Sequence, residues 1–403
     1  MKRLVLFLLL LITALPALGG CGGNSTISSQ TPSEPPSQPS PPPVDTTPVV
    51  LDLATDPAWQ SAAQPLHLAQ AELNYLTPDG TVVGNDSLTW GYDPGGRLTH
   101  QERTEDADGD GLAEYRGATD FGYSPAGQLT SIVHSLGNGA DGILMPYQTD
   151  IYSYDTQQRL GEMTETSDYN GDGLNDYSIT TVFTYSAAGK LEGKTITSDY
   201  DLDGNPDSLN LVSYGYDAQG QLVEIRSDFD YNLDGNTDSR TLQTLDYDSA
   251  GRLAGIVEEQ DDNFDGIADA VNSKQATYDE RGRLVKVVSE FRSAGSGLVL
   301  PSSTETLSYA DSGALASRTM VSDYNSDGIP DASFVATFSV DPEVGALTVA
   351  YSHDLDADGT VDTRRTMTFI FTSANLPDFS EVIGPEPWLY SQGELWTHFL
   401  SRF

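Results

Sequence analysis

The chain has 403 residues, of which 60 are Asp or Glu and 20 are Lys or Arg, so its formal net charge is −40. This charge argues against nucleic acid as a partner, because that affinity comes from Lys and Arg neutralising phosphates. It favours cations that relieve self-repulsion. Apolar residues make up 38% of the chain and Tyr alone contributes 20 residues, which is typical of strands rather than of a disordered acidic chain.

The first element in chain order is a secretory signal peptide over residues 1–20. Two basic residues precede an apolar run from Leu4 to Ala17, which is too short to span a bilayer comfortably, and small residues follow. The ending Leu18-Gly19-Gly20-Cys21 resembles the lipobox of bacterial lipoproteins, which implies cleavage before Cys21 and acylation of that residue. Cys21 is the only cysteine, so it has no partner for a disulfide. The alternative is an ordinary signal peptide with an incidental cysteine.

The lipobox resemblance implies that the membrane is a partner, through a lipid anchor at Cys21. Gly22 in the next position points, by the sorting rule of that family, to the outer membrane if the organism is Gram-negative. Residues 21–48 then comprise the lipidated cysteine and a Ser/Pro-rich tether. At roughly 3.1 Å per residue the tether can hold a domain up to about 80 Å from the lipid.

The rest of the chain is dominated by a repeat of 31 residues. We assign residues 49–79 to an N-terminal cap, 80–375 to the repeat domain and 376–403 to a C-terminal cap. One glycine marks each of the ten units: Gly80, Gly111, Gly142, Gly173, Gly204, Gly235, Gly266, Gly297, Gly328 and Gly359. An aromatic residue, usually Tyr, follows 12 positions later in most units, and Leu follows six positions after that. Self-similarity at a fixed period is the signature of a repeat architecture.

Each unit contains two turns separated by strands. The first turn is Tyr-Asp-x-x-Gly-x-Leu, as in YDAQGQL at 216–222, which suits a type I turn followed by a left-handed residue. The second is an acidic loop around the repeat glycine, and partial alternation between the turns predicts strands. We therefore expect an all-β protein with low helix content, an antiparallel meander of about twenty strands. The aromatic face predicts a curled or spiral β-sheet, with an elongated twisted ribbon as the alternative.

The Tyr-Asp-x-x-Gly-Arg-Leu segments resemble the YD repeats of the RHS family, whose repeats build a β-spiral shell. The resemblance covers about seven residues of each unit, roughly over residues 92–347. Gln157-Gln158 replaces the glycine in one copy, and Ser or Ala replaces Asp in others. The units are longer than usual YD repeats, and the chain has no room for a large shell or a toxin payload.

Seven of the ten acidic loops carry oxygen ligands at positions 1, 3, 5 and 9, with Gly at position 6. Alternate carboxylates and amides can converge on one cation while the glycine permits the sharp turn. The predicted ligands are Asp106, Asp108, Asp110 and Glu114; Asp168, Asn170, Asp172 and Asp176; Asp199, Asp201, Asp203 and Asp207; Asp230, Asn232, Asp234 and Asp238; Asp261, Asn263, Asp265 and Asp269; Asp323, Asn325, Asp327 and Asp331; and Asp354, Asp356, Asp358 and Asp362. We predict several weak Ca²⁺ sites as the cofactor positions.

These loops resemble the first nine positions of EF-hand loops, and more closely those of type 3 thrombospondin repeats and dockerins. The bidentate Glu at position 12 is absent in all seven, so water or a neighbouring acid must complete the shell, and affinity in the range of about 10⁻⁴–10⁻³ M is expected. The turns at 77–83, 137–145 and 293–300 keep the glycine but lose the acids. The fold thus tolerates this turn without ligands, which indicates that the acids serve a purpose besides turning.

No arrangement of catalytic residues emerges from the sequence. The five His residues are scattered, and Ser124 in GYSPAG occupies a repeat turn rather than a nucleophile elbow. We therefore predict a non-enzymatic, calcium-stabilised, lipid-anchored β-repeat protein of the cell envelope with a structural or adhesive role. The alternatives are a carbohydrate- or protein-binding surface receptor that uses an exposed aromatic face, and, more weakly, an accessory of envelope assembly or transport. An aromatic face exposed to solvent would favour the receptor.

Overall fold

The computed structural model describes residues 68–138, 142–293, 299–325, 327–341 and 346–371. The predicted signal peptide, the tether and the C-terminal cap at 376–403 lie outside these residues. The described residues form twenty strands: β1 (Leu68–Leu76), β2 (Val82–Tyr92), β3 (Leu98–Asp106), β4 (Tyr115–Tyr123), β5 (Leu129–Asn138), β6 (Met145–Tyr154), β7 (Leu160–Ser167), β8 (Tyr177–Tyr185), β9 (Leu191–Asp199), β10 (Ser208–Tyr216), β11 (Leu222–Asp230), β12 (Ser239–Tyr247), β13 (Leu253–Asp261), β14 (Ala270–Tyr278), β15 (Leu284–Ser293), β16 (Val299–Tyr309), β17 (Leu315–Asp323), β18 (Ala332–Asp341), β19 (Ala346–Asp354) and β20 (Thr363–Phe371).

The sheet is closed. Each strand pairs antiparallel with the next, and β1 pairs antiparallel with β20, with Leu73 opposite Met367 and Tyr75 opposite Arg365. The expectations of a curled or spiral sheet and of an elongated ribbon were therefore wrong: the fold is a twenty-stranded antiparallel barrel. The cause is β1, which lies within the segment 49–79 that the sequence assigned to a cap. Its pairing satisfies the backbone N–H and C=O groups that β20 would otherwise expose at an open edge.

Alternation of the strands places the two kinds of turn on opposite rims of the barrel. The Tyr-Asp-x-x-Gly hairpins lie on one rim, together with the start of β1 and the end of β20. In the copy at 216–222, the N–H of Gly220 donates to the carbonyl of Asp217 over 3.0 Å, and Gly220 has φ of +87°. The prediction of a type I turn followed by a left-handed residue is confirmed there. Gln158, which replaces the glycine in one copy, adopts the same conformation with φ of +66°.

The repeated aromatic and leucine positions lie on the buried face of the sheet. Leu222 and Leu253 are almost completely buried, and Trp90 is buried as well. Because the wall of a closed barrel shields its inner face, this buried face is the inside. Six column tyrosines donate their hydroxyl to the carbonyl of a repeat leucine one unit earlier, over 2.7–2.9 Å: Tyr123, Tyr185, Tyr216, Tyr247, Tyr278 and Tyr309. These hydrogen bonds link each unit to the preceding one.

The outward face is polar. On β3 and β4 Arg116 pairs with Glu102, and His100 lies 2.7 Å from Asp120. On β11 and β12 Asp228 accepts from both Arg226 and Arg240 at 2.7 and 2.6 Å. Low helix content was expected, and every regular element of the described residues is a strand. Within that part of the chain, no helix is long and apolar enough to cross a membrane.

Candidate metal-binding loops

All seven predicted acidic loops lie on the rim opposite the hairpins, which we call the acidic rim. They connect β3 to β4, β7 to β8, β9 to β10, β11 to β12, β13 to β14, β17 to β18 and β19 to β20. The acid-poor turns between β1 and β2 and between β5 and β6 share this rim. Neighbouring loops are separated by two strands, or about 9–10 Å.

The same hydrogen-bond scaffold shapes every acidic loop. The carboxylate at position 1 accepts from the N–H of the glycine at position 6, over 2.7–3.0 Å. The carboxylate at position 9 accepts from the N–H of position 2, over 2.6–2.9 Å. The side chains at positions 3 and 5 each accept from the N–H two residues later. Each of these four side chains therefore has at least one oxygen engaged by the backbone.

Two residues in the loops adopt the left-handed conformation. The glycine at position 6 was expected to permit the sharp turn, and Gly204 has φ of +88°. Position 4 is left-handed as well, although it is Leu202, Leu233 and Phe264 in three consecutive loops, with φ of 55–57°. This conformation costs roughly 1–2 kcal/mol for a residue with a Cβ. Sequence reasoning missed this feature, because a Leu or Phe gives no signal of a positive φ.

Three of the loops contain a carboxylate oxygen that is buried and has no hydrogen-bond partner. These atoms are the Oδ1 of Asp199, Asp323 and Asp354, each at position 1 of its loop. Only 9% of Asp354 is exposed. A buried carboxylate oxygen without a hydrogen-bond partner is costly, and a cation or water molecule beside it would offset that cost. A cation would supply the missing partner.

The carboxylates of three loops converge closely enough to share one ion. One ligand atom of each residue lies within 4.8 Å of the others in three groups: Asp106, Asp108, Asp110 and Glu114; Asp199, Asp201 and Asp203; and Asp354, Asp356 and Asp362. All three groups consist of predicted ligands. Asp207 and Asp358 were also predicted but do not join their groups.

The other four loops all have Asn at position 3. Asn170, Asn232, Asn263 and Asn325 accept an N–H through Oδ1, and in the described residues these loops contain no group of three converging acids. An amide oxygen is a weaker ligand than a carboxylate, since it carries no formal charge. The structure therefore divides the seven predicted loops into three with converging carboxylates and four without.

A charged cluster inside the barrel was not anticipated from the sequence. Arg103 donates to Asp86 over 2.6 Å and to Glu105 over 3.1 Å, and the Tyr75 hydroxyl donates to Asp86 over 3.3 Å. Burial raises the pKa of Tyr75 to about 12, and burial also raises the pKa of Asp86 against the opposing effect of Arg103. Same-face alternation along β1, β2 and β3 was the available signal, but it becomes readable only once the strand register is known.

Comparison with known proteins adds little to this description. No family model and no curated protein matches the chain. A porin-like protein from Bacteroides uniformis ATCC 8492 is 11% identical, with 76% of this chain and 99% of that chain covered and a TM-score of 0.31. A porin-like protein from Bacteroides vulgatus ATCC 8482 is 12% identical, with 77% and 99% covered and a TM-score of 0.23. Scores this low do not establish a shared fold, so the function must be argued from the loops of this chain.

Proposed function

We propose that this protein is a calcium-stabilised, lipid-anchored β-barrel of the cell envelope with a structural or adhesive role and no catalysis. The observation that carries the calcium proposal is the Oδ1 of Asp354, which is buried and unpaired beside Asp356 and Asp362. The other oxygen of Asp354 accepts from the N–H of Gly359 over 2.8 Å, so the carboxylate is already held in place. A cation beside it would complete the site.

Calcium fits these loops better than other common cations. Carboxylates and carbonyl oxygens in a flexible arrangement are the ligands that Ca²⁺ prefers, whereas Mg²⁺ demands a nearly ideal octahedron and retains its waters. In Asp199 and Asp354 the backbone engages one oxygen of the carboxylate at position 1, so a cation would bind through the unpaired second oxygen, with water completing the shell. Binding would also relieve repulsion between acidic loops that lie about a Debye length apart.

The location rests on the lipobox resemblance at Cys21 and on the polar outward face. Barrels that span the outer membrane present an apolar band to lipid. Here the outward face carries ion pairs such as Arg240 with Asp228 at 2.6 Å. We therefore place the barrel beside a membrane, held by acyl chains through the tether, and in the outer membrane compartment if the organism is Gram-negative.

The position of the aromatic column favours a structural role over a receptor that uses this face. Trp90 is buried, and the column tyrosines are held by hydroxyl bonds to leucine carbonyls inside the closed sheet. A glycan or protein on the outer surface cannot stack on rings that lie on the inner face of the barrel. In this proposal the column holds adjacent units together, and calcium stabilises the rim.

Thermal unfolding tests the calcium proposal. At calcium tenfold above each dissociation constant, one site adds about 1.4 kcal/mol. We expect the melting temperature to rise with millimolar calcium, to rise less with magnesium and to fall with chelator. A melting temperature that is the same in calcium and in chelator would refute the calcium proposal. Metabolic labelling with a fatty acid tests the anchor, because label that survives Cys21→Ser would contradict acylation at that residue.

A further inference from the structure

The acidic rim carries apolar side chains at its loop tips that the calcium proposal does not explain. The residue directly after the repeat glycine is Leu or Ile in several loops, and between 62% and 70% of each is exposed. These residues are Leu112, Ile143, Leu174, Ile267 and Ile329. Exposed Leu and Ile are ordinary when scattered singly, but recurrence at one repeat position on one rim marks a contact surface.

These tip residues form two arcs on opposite sides of the barrel. Leu112, Ile143 and Leu174 occupy three consecutive loops between β3 and β8, and Ile267 and Ile329 lie between β13 and β18. Each arc is therefore ten strands away from the other in a closed barrel of twenty. The loops between the arcs carry polar residues at the same position: Asn205 and Asn236 on one side, Thr360 and Thr81 on the other.

Tyrosines occupy loop position 2 in four loops of the same rim, and two of them, Tyr169 and Tyr324, lie in loops with apolar tips. Tyr169 is stacked on Tyr177 with ring centroids 5.0 Å apart, and Tyr231 is stacked on Phe229 at 5.7 Å. The tyrosine rings at this position remain about half exposed. Tyrosines beside protruding aliphatic side chains are characteristic of surfaces that meet the membrane–water interface, because the ring is apolar and its hydroxyl is polar.

We propose that the acidic rim docks onto an anionic lipid surface, with Leu and Ile tips entering the interface and bound Ca²⁺ bridging the loop carboxylates to lipid phosphates. This inference rests on the proposed calcium binding, since seven acidic loops without cations would be repelled by such a surface. The tips occupy the same repeat position on one rim, and two opposed arcs suit a flat surface better than a ligand in a pocket.

The proposed anchor supplies the reason for choosing lipid as the occupant. The segment expected to be a tether leads to the start of β1 on the hairpin rim, at the end of the barrel away from the acidic loops. A strand of nine residues is about 30 Å long, and the tether reaches up to about 80 Å, so the acidic rim can turn back to the same bilayer. Tethering makes the second contact intramolecular, so a weak rim contact suffices.

The test uses residues 21–403 with Cys21→Ser, which removes the acyl chains that would bind vesicles by themselves. Cosedimentation with vesicles of equal phosphatidylglycerol and phosphatidylcholine is measured in millimolar calcium and in chelator. We expect binding in calcium that weakens by at least about tenfold in chelator or on pure phosphatidylcholine. The tip variant combines four substitutions that leave every carboxylate intact: Leu112→Ser, Leu174→Ser, Ile267→Ser and Ile329→Ser. Its vesicle binding should weaken by at least about tenfold, while calcium should still raise its melting temperature as in the parent.

The matched control is Val182→Ser with Leu211→Ser, two exposed apolar residues on the outward face of β8 and β10. This control should bind vesicles as the parent does. Docking is refuted if the tip variant binds vesicles as tightly as the parent does. It is also refuted if the parent does not bind vesicles although calcium still raises its melting temperature. A calcium-dependent dimer in sedimentation velocity that the tip variant abolishes, without vesicle binding, would assign the tips to a second copy instead. Melting that does not respond to calcium would refute the proposed function itself.

Discussion

Replacement of Asp354 by Asn should have opposite effects on stability with and without calcium. In chelator the parent carries a buried carboxylate oxygen without a partner at Oδ1, while the other oxygen accepts from the N–H of Gly359. An Asn side chain keeps one oxygen for that N–H, removes the buried charge and turns its NH₂ towards the carboxylates of Asp356 and Asp362, which have oxygens within 4.8 Å and can accept from it. The cost of a buried unsatisfied group is about 1–3 kcal/mol. Asp354→Asn should therefore stabilise the calcium-free protein.

The size of the effect follows from the size of the barrel. Unfolding entropy of about 2.1 cal/mol/K per residue over about 300 residues makes 1 kcal/mol equivalent to about 1.6 °C. Asp354→Asn should raise the melting temperature in chelator by about 2–5 °C. In calcium at tenfold the dissociation constant, loss of one site removes about 1.4 kcal/mol, so the calcium-induced increase should shrink by about 2 °C.

Differential scanning calorimetry of parent and variant in both conditions measures these shifts. Asp106→Asn is the matched control at the same loop position. Both oxygens of Asp106 already accept backbone N–H groups, from Gly109 at 2.7 Å and from Gly111 at 2.9 Å. An Asn there would set its NH₂ against one of these donors, so it should destabilise the protein in chelator as well as in calcium. Equal destabilisation by both substitutions in chelator would refute the reasoning about the unpaired oxygen.

Three further predictions concern the barrel itself. In urea titrations, Gln158→Gly should stabilise the protein by up to about 1 kcal/mol and Gly189→Gln should destabilise it by about 1–2 kcal/mol. Both residues have positive φ, which favours glycine, and a Cβ at Gly189 meets nothing within 4 Å, so backbone conformation alone sets the cost. Effects of the opposite sign would contradict this account of the hairpins. Tyr247→Phe should cost about 1–2 kcal/mol by leaving a strand carbonyl without its 2.8 Å donor, whereas Tyr200→Phe, whose hydroxyl lies 3.5 Å from its partner, should cost less than about 0.5 kcal/mol. Burial and the charge of Arg365 lower the pKa of His353 to about 4, below the unfolded value, so stability is full above pH 6.5 and is lost as pH falls from 6.5 towards 4. Because His353 is partly exposed, the loss should be at most about 1 kcal/mol, and His353→Asn should reduce this part of the pH dependence in urea titrations at pH 7 and pH 5.

The repeat made the local structure predictable, because each turn is specified by a short motif within its own unit. Gly220 was predicted to be left-handed in the hairpin and Gly204 to permit the sharp turn of the acidic loop, and both have positive φ. The number of strands also followed from two strands per unit. Closure did not, since it depends on β1, which precedes the first repeat glycine, meeting β20 at the far end of the chain. Pairing between such distant strands leaves no local signature.

The sequence predicted which residues belong to the candidate sites, but not how the seven loops differ from one another. All converging carboxylates, such as those of Asp199, Asp201 and Asp203, were among the predicted ligands. The sequence treated the seven loops as equivalent, whereas the unpaired oxygens distinguish Asp199, Asp323 and Asp354 from the rest. That distinction depends on whether a backbone N–H of the loop reaches Oδ1, as that of Asn232 reaches Asp230 over 3.3 Å, and the loop sequences do not encode this.

The most direct test of the central claim is crystallographic. Crystals grown in millimolar calcium and measured at a wavelength where calcium scatters anomalously should show difference peaks beside the Oδ1 atoms of Asp354 and Asp199. The same map should be featureless at the acid-poor turn of Gly80. Calcium-loaded crystals with well-ordered acidic loops and no anomalous peak in any of them would contradict the account.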